Sequence, residues 1–302
     1  MYPSYLNLGS KEIKKRALKL FNRLSYCDIC PRECKVNRIM GIKGVCGSDF
    51  RLFISSYHLH FGEEKPISGY NGSGAIFFTN CTLKCLYCQN YEISHLGEGY
   101  EISIEDLAKI MLLLQHSNAH NINLVSPTHY LPQILLSLSI AVENGLKIPI
   151  VYNTSGYEKV EILKFLEGIV DIYLPDAKYM DKDLALKLSK AKDYPEINEK
   201  CLLEMKRQVK DYKFDDRGII LKGVIIRHLI LPNNVENSKK VLKMIYDKFG
   251  NDILISLMTQ YHPCFKAISD SKIGRDINKK EFDEVFKCFN ELGFDKSLTQ
   301  PF

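Results

Sequence analysis

The chain has 302 residues, 41 Lys and Arg against 36 Asp and Glu, a net charge of +5 and 45% apolar residues. That is ample core for one large domain or a barrel with an appendage, and no run approaches the ~20 apolar residues of a membrane span. The lysines are scattered, which argues against a dedicated nucleic-acid surface. The start Met1-Tyr-Pro-Ser-Tyr-Leu-Asn7 lacks a charged-then-apolar leader, so a cytoplasmic protein is expected. Ten cysteines in this length are too sparse for a disulfide scaffold.

The first group met along the chain is Cys27, Cys30, Cys34 and Cys46, separated by Gly41 and Gly44, which permit tight turns. Four thiolates suffice for one tetrahedral metal site. Little apolar periodicity surrounds them, so a metal is expected to hold the region together. Zinc and an auxiliary iron–sulfur cluster are both compatible with this spacing, and unligated thiols are the third alternative. From His58 to Ser68 a linker is expected, in which His60, Glu63 and Glu64 either order the segment or form a solvated turn.

An apolar strand at 75–78 then leads into Cys81, Cys85 and Cys88, spaced C-x3-C-x2-C with Tyr87 in the last gap. Three thiolates in one tight loop can hold three corners of a cubane 4Fe–4S cluster, leaving one iron open to an outside chelator. Zinc would want a fourth ligand and usually pairs short C-x2-C spacings.

Further apolar runs at 122–125, 148–152, 169–174, 224–231 and 253–257 alternate with amphipathic helical patterns. Ser103 caps a helix that buries Leu107, Ile110, Met111 and Leu114. Asn237 is expected to open a helix with Val241, Leu242, Ile245 and Phe249 inward and Gly250 as its stop. Phe282, Val285, Phe286 and Phe289 form a core stripe on a last helix. The alternation implies parallel strands with right-handed crossovers, in a doubly wound sheet or an incomplete barrel. Arg227 and His228 interrupt the fifth run on opposite faces, which is costly unless a polar pocket receives them.

The cysteine loop resembles the signature of the radical SAM superfamily. There the open iron binds the amino and carboxylate groups of S-adenosylmethionine (SAM), and an electron from the cluster cleaves the sulfonium to give a 5'-deoxyadenosyl radical. The resemblance implies an α/β fold, a partial (β/α)6 TIM-like barrel over residues 71–302 with its site at the carboxyl ends of the strands. A small Cys-rich metal-binding module and linker would occupy residues 1–70. The implied cofactors are a 4Fe–4S cluster and SAM, with zinc or a second cluster at the N-terminal cysteines, and the implied electron donor is a flavodoxin or ferredoxin.

By the same resemblance, Ser126 and Thr128 lie where such enzymes bind the SAM amino group through backbone atoms, although the usual Gly-Gly-Glu is absent. His129 beside them is either a hydrogen bonder behind the site or a structural residue. Asn153-Thr-Ser-Gly156 and Asp176-Ala-Lys178 are similar to stretches of glycyl-radical activating enzymes. This implies that Asn153 lies near the SAM amino group and Lys178 near its carboxylate. Asn153 stands where those enzymes carry an aspartate, so a charge-assisted contact becomes a neutral one. Arg227 is implied at the carboxylate or ribose, and Gln260, Tyr261 or His262 at adenosine or substrate. The run Cys30-Pro-Arg-Glu-Cys-Lys-Val-Asn-Arg38, with His60-Phe-Gly-Glu-Glu64, is similar to the pyruvate formate-lyase activating enzyme-like subfamily. Three functions stand open: hydrogen abstraction from a protein or peptide, including activation of a glycyl-radical partner; radical modification of a small molecule; and a zinc-stabilised binding module without catalysis.

Overall fold

A computed structural model describes residues 2–294 and Leu298; residues 295–297 and 299–302, at the end of the expected barrel segment, lie outside the described residues. In chain order the elements are α1 (Tyr5–Asn22), β1 (Leu52–His60), α2 (Lys65–Ser68), β2 (Ser73–Phe78), β3 (Tyr100–Ile102), α3 (Ile104–His116), β4 (Ile122–Val125) and α4 (Leu131–Glu143). There follow β5 (Ile150–Thr154), α5 (Val160–Leu163), β6 (Ile172–Pro175), α6 (Lys182–Ser189), α7 (Tyr194–Val209), β7 (Lys213–Phe214), β8 (Ile220–Leu229), α8 (Val235–Phe249), β9 (Leu254–Met258) and α9 (Lys279–Glu291).

The six expected strands form the parallel centre of the sheet, in the order β2-β4-β5-β6-β8-β9. They are short, rich in β-branched and aromatic residues and buried on both faces, as parallel strands between two layers must be. Several boundaries differ from expectation: β2 starts at Ser73 rather than 75, and β8 runs from Ile220 to Leu229 rather than over 224–231. Pro149 delays the third run, so β5 starts at Ile150 and takes Asn153 and Thr154 into its last two positions. The fourth run starts as β6 only at Ile172, after Asp171 accepts from the backbone and hydroxyl of Ser4.

Three antiparallel strands were not anticipated. β1 pairs with β2, β3 with β1, and β7 with the start of β8. The sheet is therefore mixed and does not close into a barrel; β3 stands at one edge, and β9 and β7 lie on the far side of β8. Part of the expected linker, His58 to His60, is β strand, with His58 stacked on Phe77 at 5.4 Å.

Ile76, Phe78, Leu124, Tyr152, Tyr173, Ile226 and Ile255 face the helical layer in the main core. Val151, Ile172, Leu174, Ile225 and Leu254 point to the opposite, inner face and form a smaller core with Ile67 of α2. The segment after β1 thus inserts into the inner face near its amino-terminal end, where Asn121 Nδ2 donates to the Ile67 carbonyl at 2.9 Å. Gly69 makes the close approach possible: its φ is +49°, and a Cβ there would stand 2.3 Å from Ile219 Cδ1.

Ser103 caps α3, accepting from the Asp106 N–H, and Gly250 ends α8. Asn237 does not open α8: the helix begins at Val235, and the buried Asn237 side chain accepts from Met180 N and Asp181 N and donates to the Lys178 carbonyl.

Candidate active site

The loop carrying Cys81, Cys85 and Cys88 leaves the carboxyl end of β2 and is fastened at many points. Lys84 N donates to the Ser189 carbonyl and Leu86 N to the Leu188 carbonyl, which ties the loop to the end of α6. Tyr87 is buried, and its hydroxyl meets that of Tyr179 at 2.6 Å. Tyr179 in turn meets Ser189 Oγ at 2.8 Å, and Ser189 Oγ lies 2.9 Å from Cys85 Sγ. Ser94 Oγ lies 3.1 Å from Cys88 Sγ, and the His95 ring meets the Cys85 carbonyl at 2.9 Å. All three cysteines are free and half-buried. Burial pushes the Cys81 thiol up to about 12; burial also raises Cys85, against the opposing pull of the nearby Lys178 ammonium.

Beside this loop the strand ends gather charges. Lys178 Nζ lies 2.7 Å from Asp176 Oδ2, and Arg227 Nε donates to Asp176 Oδ1 at 3.0 Å. Arg227 also donates to Asn153 Oδ1 at 2.6 Å and faces Glu63 Oε2 at 3.5 Å. Glu63 Oε1 accepts from Asn123 Nδ2 at 3.0 Å and Asn153 Nδ2 at 3.1 Å. Burial would raise the Asp176 carboxyl, but Lys178 and Arg227 outweigh it and hold it low. Burial would likewise lower Lys178, yet Asp176 and then Cys85 keep it charged and raised. Desolvation raises Glu64, and among the described residues its Oε2 has no hydrogen-bond partner. Glu63 and Glu64 are therefore not a solvated turn; they sit against Arg227 on the inner face.

The 176–178 loop is held rigidly from behind. Tyr194 OH accepts from Lys178 N and shares its one proton between the Ser155 carbonyl at 2.8 Å and the Asp176 carbonyl at 3.0 Å, and Asn198 bridges the Gly156 and Asp176 carbonyls. At Gly156, φ +70°, a Cβ would lie 2.2 Å from the Asp176 carbonyl oxygen, so the loops after β5 and β6 touch only because that residue is glycine.

Ser126 has φ +56° and donates its N–H to the Asn153 carbonyl. The Thr128 hydroxyl is committed to Glu158 at 2.6 Å. His129 is buried behind the loop with its Nε2 at 2.8 Å from the Thr79 carbonyl, and burial lowers it to about 3. His228 is also buried, between the Ala177 carbonyl and Ser238, and lowered by burial to about 4. Gln260 and Tyr261 adjoin the cysteine loop through Gln89 and Tyr87. His262 points to solvent and pairs with Asp276. The residues missed from sequence are Ser189, Ser94, Tyr179, Tyr194, Asn123, Asn198 and the role of Asn237. None stands in a motif; only the inward glutamates of 60–64 had drawn notice.

The N-terminal cysteines lie against the same loop. Cys27, Cys30 and Cys46 are buried and Cys34 half-buried; burial raises the Cys30 thiol, and Cys46, Cys27 and Cys34 are close enough to push it further up. Among the described residues no three His, Cys, Asp or Glu side chains converge on the position of a single metal ion. A three-thiol loop that shares its ligands among several irons does not require such convergence, so the donor set at Cys81, Cys85 and Cys88 fits a cluster.

Residues 75–245 match the sequence profile of the radical SAM superfamily. The chain is 30% identical to an uncharacterized protein of Methanocaldococcus jannaschii, MJ0674, over 91% of this chain and 77% of that one. It is 27% identical to the pyruvate formate-lyase-activating enzyme of Clostridium pasteurianum, over 56% of this chain and 66% of that one. The crystal structure of methylornithine synthase shares the fold with a TM-score of 0.50 at 17% identity, over 72% of this chain and 60% of that structure. With the cysteine loop at the end of its first parallel strand, the chain belongs to the radical SAM superfamily.

Proposed function

We propose that this chain is a radical SAM oxidoreductase in which Cys81, Cys85 and Cys88 hold a 4Fe–4S cluster and SAM completes the fourth iron. The observation that carries the reading is the pair Lys178 and Arg227, fixed on Asp176 beside Cys85 at the strand ends. When bound, the cluster and SAM supply a 5'-deoxyadenosyl radical for hydrogen abstraction. The chain's own part is to bind, orient and shield. Lys178 and Arg227 offer cations to the SAM carboxylate, and Asn153 offers its amide near the amino group. With the Thr128 hydroxyl spent on Glu158, Ser126 and Thr128 contribute backbone atoms. Residues 1–70 carry the Cys-rich module, and their β1 and α2 also join the sheet and fill its inner face.

The substrate we infer is a protein or peptide, and the reaction one like that of the pyruvate formate-lyase activating enzymes, including activation of a glycyl-radical partner. Support comes from the partial match to such an enzyme and from the open sheet. A second reading, modification of a small molecule, is favoured by the polar inner face at His58, Glu63 and Asn123. Among the described residues no helix is long and apolar enough to cross a membrane; we place the protein in the cytoplasm, with a flavodoxin or ferredoxin as reductant. The test is anaerobic reconstitution with iron and sulfide, then electron paramagnetic resonance with and without SAM. A reduced-cluster signal that shifts with SAM, together with deoxyadenosine, supports the reading; a cluster indifferent to SAM overturns it. Deoxyadenosine formation that rises with a candidate glycyl-radical protein separates activation from small-molecule chemistry.

A further inference from the structure

We infer that Glu158 is a positioning residue for SAM, a buried carboxylic acid that clamps the loop after β4 to the end of β5; this rests on the radical SAM reading, in which both segments contact SAM. The first argument is bonding. Glu158 is 2% exposed, and its Oε1 accepts from the hydroxyls of Thr128, at 2.6 Å, and Thr154. Thr154 Oγ1 accepts in turn from the Gly156 N–H at 3.3 Å. The chain neighbours of these threonines are the residues at the SAM site. Ser126, with φ +56°, donates its N–H to the Asn153 carbonyl at 2.9 Å. His129 ties the same loop to the Thr79 carbonyl at 2.8 Å, two residues before Cys81. One side chain thus joins the ends of β4 and β5, and His129 carries the tie on to the end of β2.

The second argument is charge. Lys159, next in the chain, turns away to Asp28, Glu33 and Glu161. The influences on Glu158 are its burial and the hydroxyls of Thr128, Thr154 and Tyr152, none of them a cation. A dry carboxylate without a counter-charge is unfavourable, so the neutral acid is favoured, and burial raises the group to about 7. Oε1 then acts as the carbonyl oxygen for two hydroxyl donors, and Oε2 carries the proton. Among the described residues neither Oε2 nor the buried Tyr152 hydroxyl beside it has a hydrogen-bond partner.

The third argument is that this acid is a poor choice for stability alone. An apolar side chain would fill the space without desolvating a carboxyl. A polar group kept in spite of that cost is expected where a site must be held in one geometry. SAM then meets loops that are already fixed, and ordering them does not weaken its binding.

The experiment is equilibrium dialysis of SAM against the anaerobically reconstituted full chain and its variants. Iron content, circular dichroism and hydrogen exchange over residues 124–130 are recorded without SAM. Glu158→Gln keeps an acceptor for both threonines and should bind SAM within about twofold of the unmutated chain. Glu158→Ala should bind about tenfold more weakly, exchange faster over 124–130 and keep its iron. Thr128→Val removes one hydroxyl and no backbone group; alone it should weaken SAM about fivefold. Added to Glu158→Ala, it should change the affinity by no more than about twofold. Unaltered affinity in Glu158→Ala overturns the positioning role, as does an equal loss in Glu158→Gln or full additivity of the two substitutions. If Glu158→Ala fails to fold, Thr128→Val decides, and SAM binding as tight as in the unmutated chain overturns the role. An unmutated chain that binds no SAM, with exchange still faster in Glu158→Ala, would leave the clamp in place and overturn the radical SAM reading and the positioning role with it.

Discussion

Glu63 and Arg227 face each other at 3.5 Å across the inner face of the sheet, although 164 residues separate them. Glu63 also accepts from both Asn123 and Asn153, so one carboxylate links β4, β5 and β8. Glu63→Ala strands the fully buried Asn123 amide and is expected to destabilise the chain by about 1–3 kcal/mol. Glu63→Gln keeps an acceptor and should lose less. Thermal melts of both variants check this, and an unchanged midpoint for Glu63→Ala would refute the hub.

If Arg227 and Lys178 receive the SAM carboxylate, Arg227→Met and Lys178→Gln should each weaken SAM binding at least tenfold, about 1.4 kcal/mol. Iron content should stay as in the unmutated chain. Equilibrium dialysis with iron quantified in the same sample reads both; unaltered affinity would remove these residues from the SAM site.

Ser189 Oγ lies 2.9 Å from Cys85 Sγ. A hydrogen bond to a ligating sulfur stabilises the reduced, more negative cluster, so Ser189→Ala should move the reduction potential to more negative values. A redox titration followed by electron paramagnetic resonance measures it, and a positive shift would contradict the assignment.

Stability should depend on pH through three buried groups. Burial holds His129 at about 3 and His228 at about 4, below the ordinary 6.5. The unfolded chain takes up these protons first, so the contribution is complete above pH 6.5 and drains away as pH falls towards 4. Glu158 slopes the other way. Burial raises it from 4.5 to about 7 despite donors from Thr128 and Thr154, so its contribution is complete below pH 4.5 and lost as pH rises through 7. Glu158→Gln should remove that loss, on the order of 3 kcal/mol between pH 4.5 and 8. Urea melts at both pH values in one metal state provide the comparison, and an equal effect at both would exclude the raised carboxyl.

The parallel strands and the cysteine loop were legible because each is a local pattern: an apolar run that ends in a polar turn, or a fixed cysteine spacing. β1 was not, since Ser56, His58 and His60 place polar side chains on a face that only the fold turns inward. Glu63 and Glu64 could be read either as ordering their segment or as a solvated turn, because their partner, Arg227, is supplied from far along the chain. Asn237 looked like a helix cap because asparagine favours that position, but the unpaired backbone at Met180 and Asp181 claimed its side chain. Ser189 carries no signal at all; it matters only because the end of α6 lies against Cys85.

Ile67 is made long before the residues it packs against. Ile172, Ile220, Ile225 and Leu254 follow it in the chain by a hundred residues or more, so during synthesis α2 emerges with no surface to fill. Loop-closure entropy must be met before these contacts form, and until then the inner face of the growing sheet is open and sticky. The inner face is thus completed late in folding by a segment translated early, and the slow step of maturation should be the seating of α2, ahead of any cofactor loading at the opposite end.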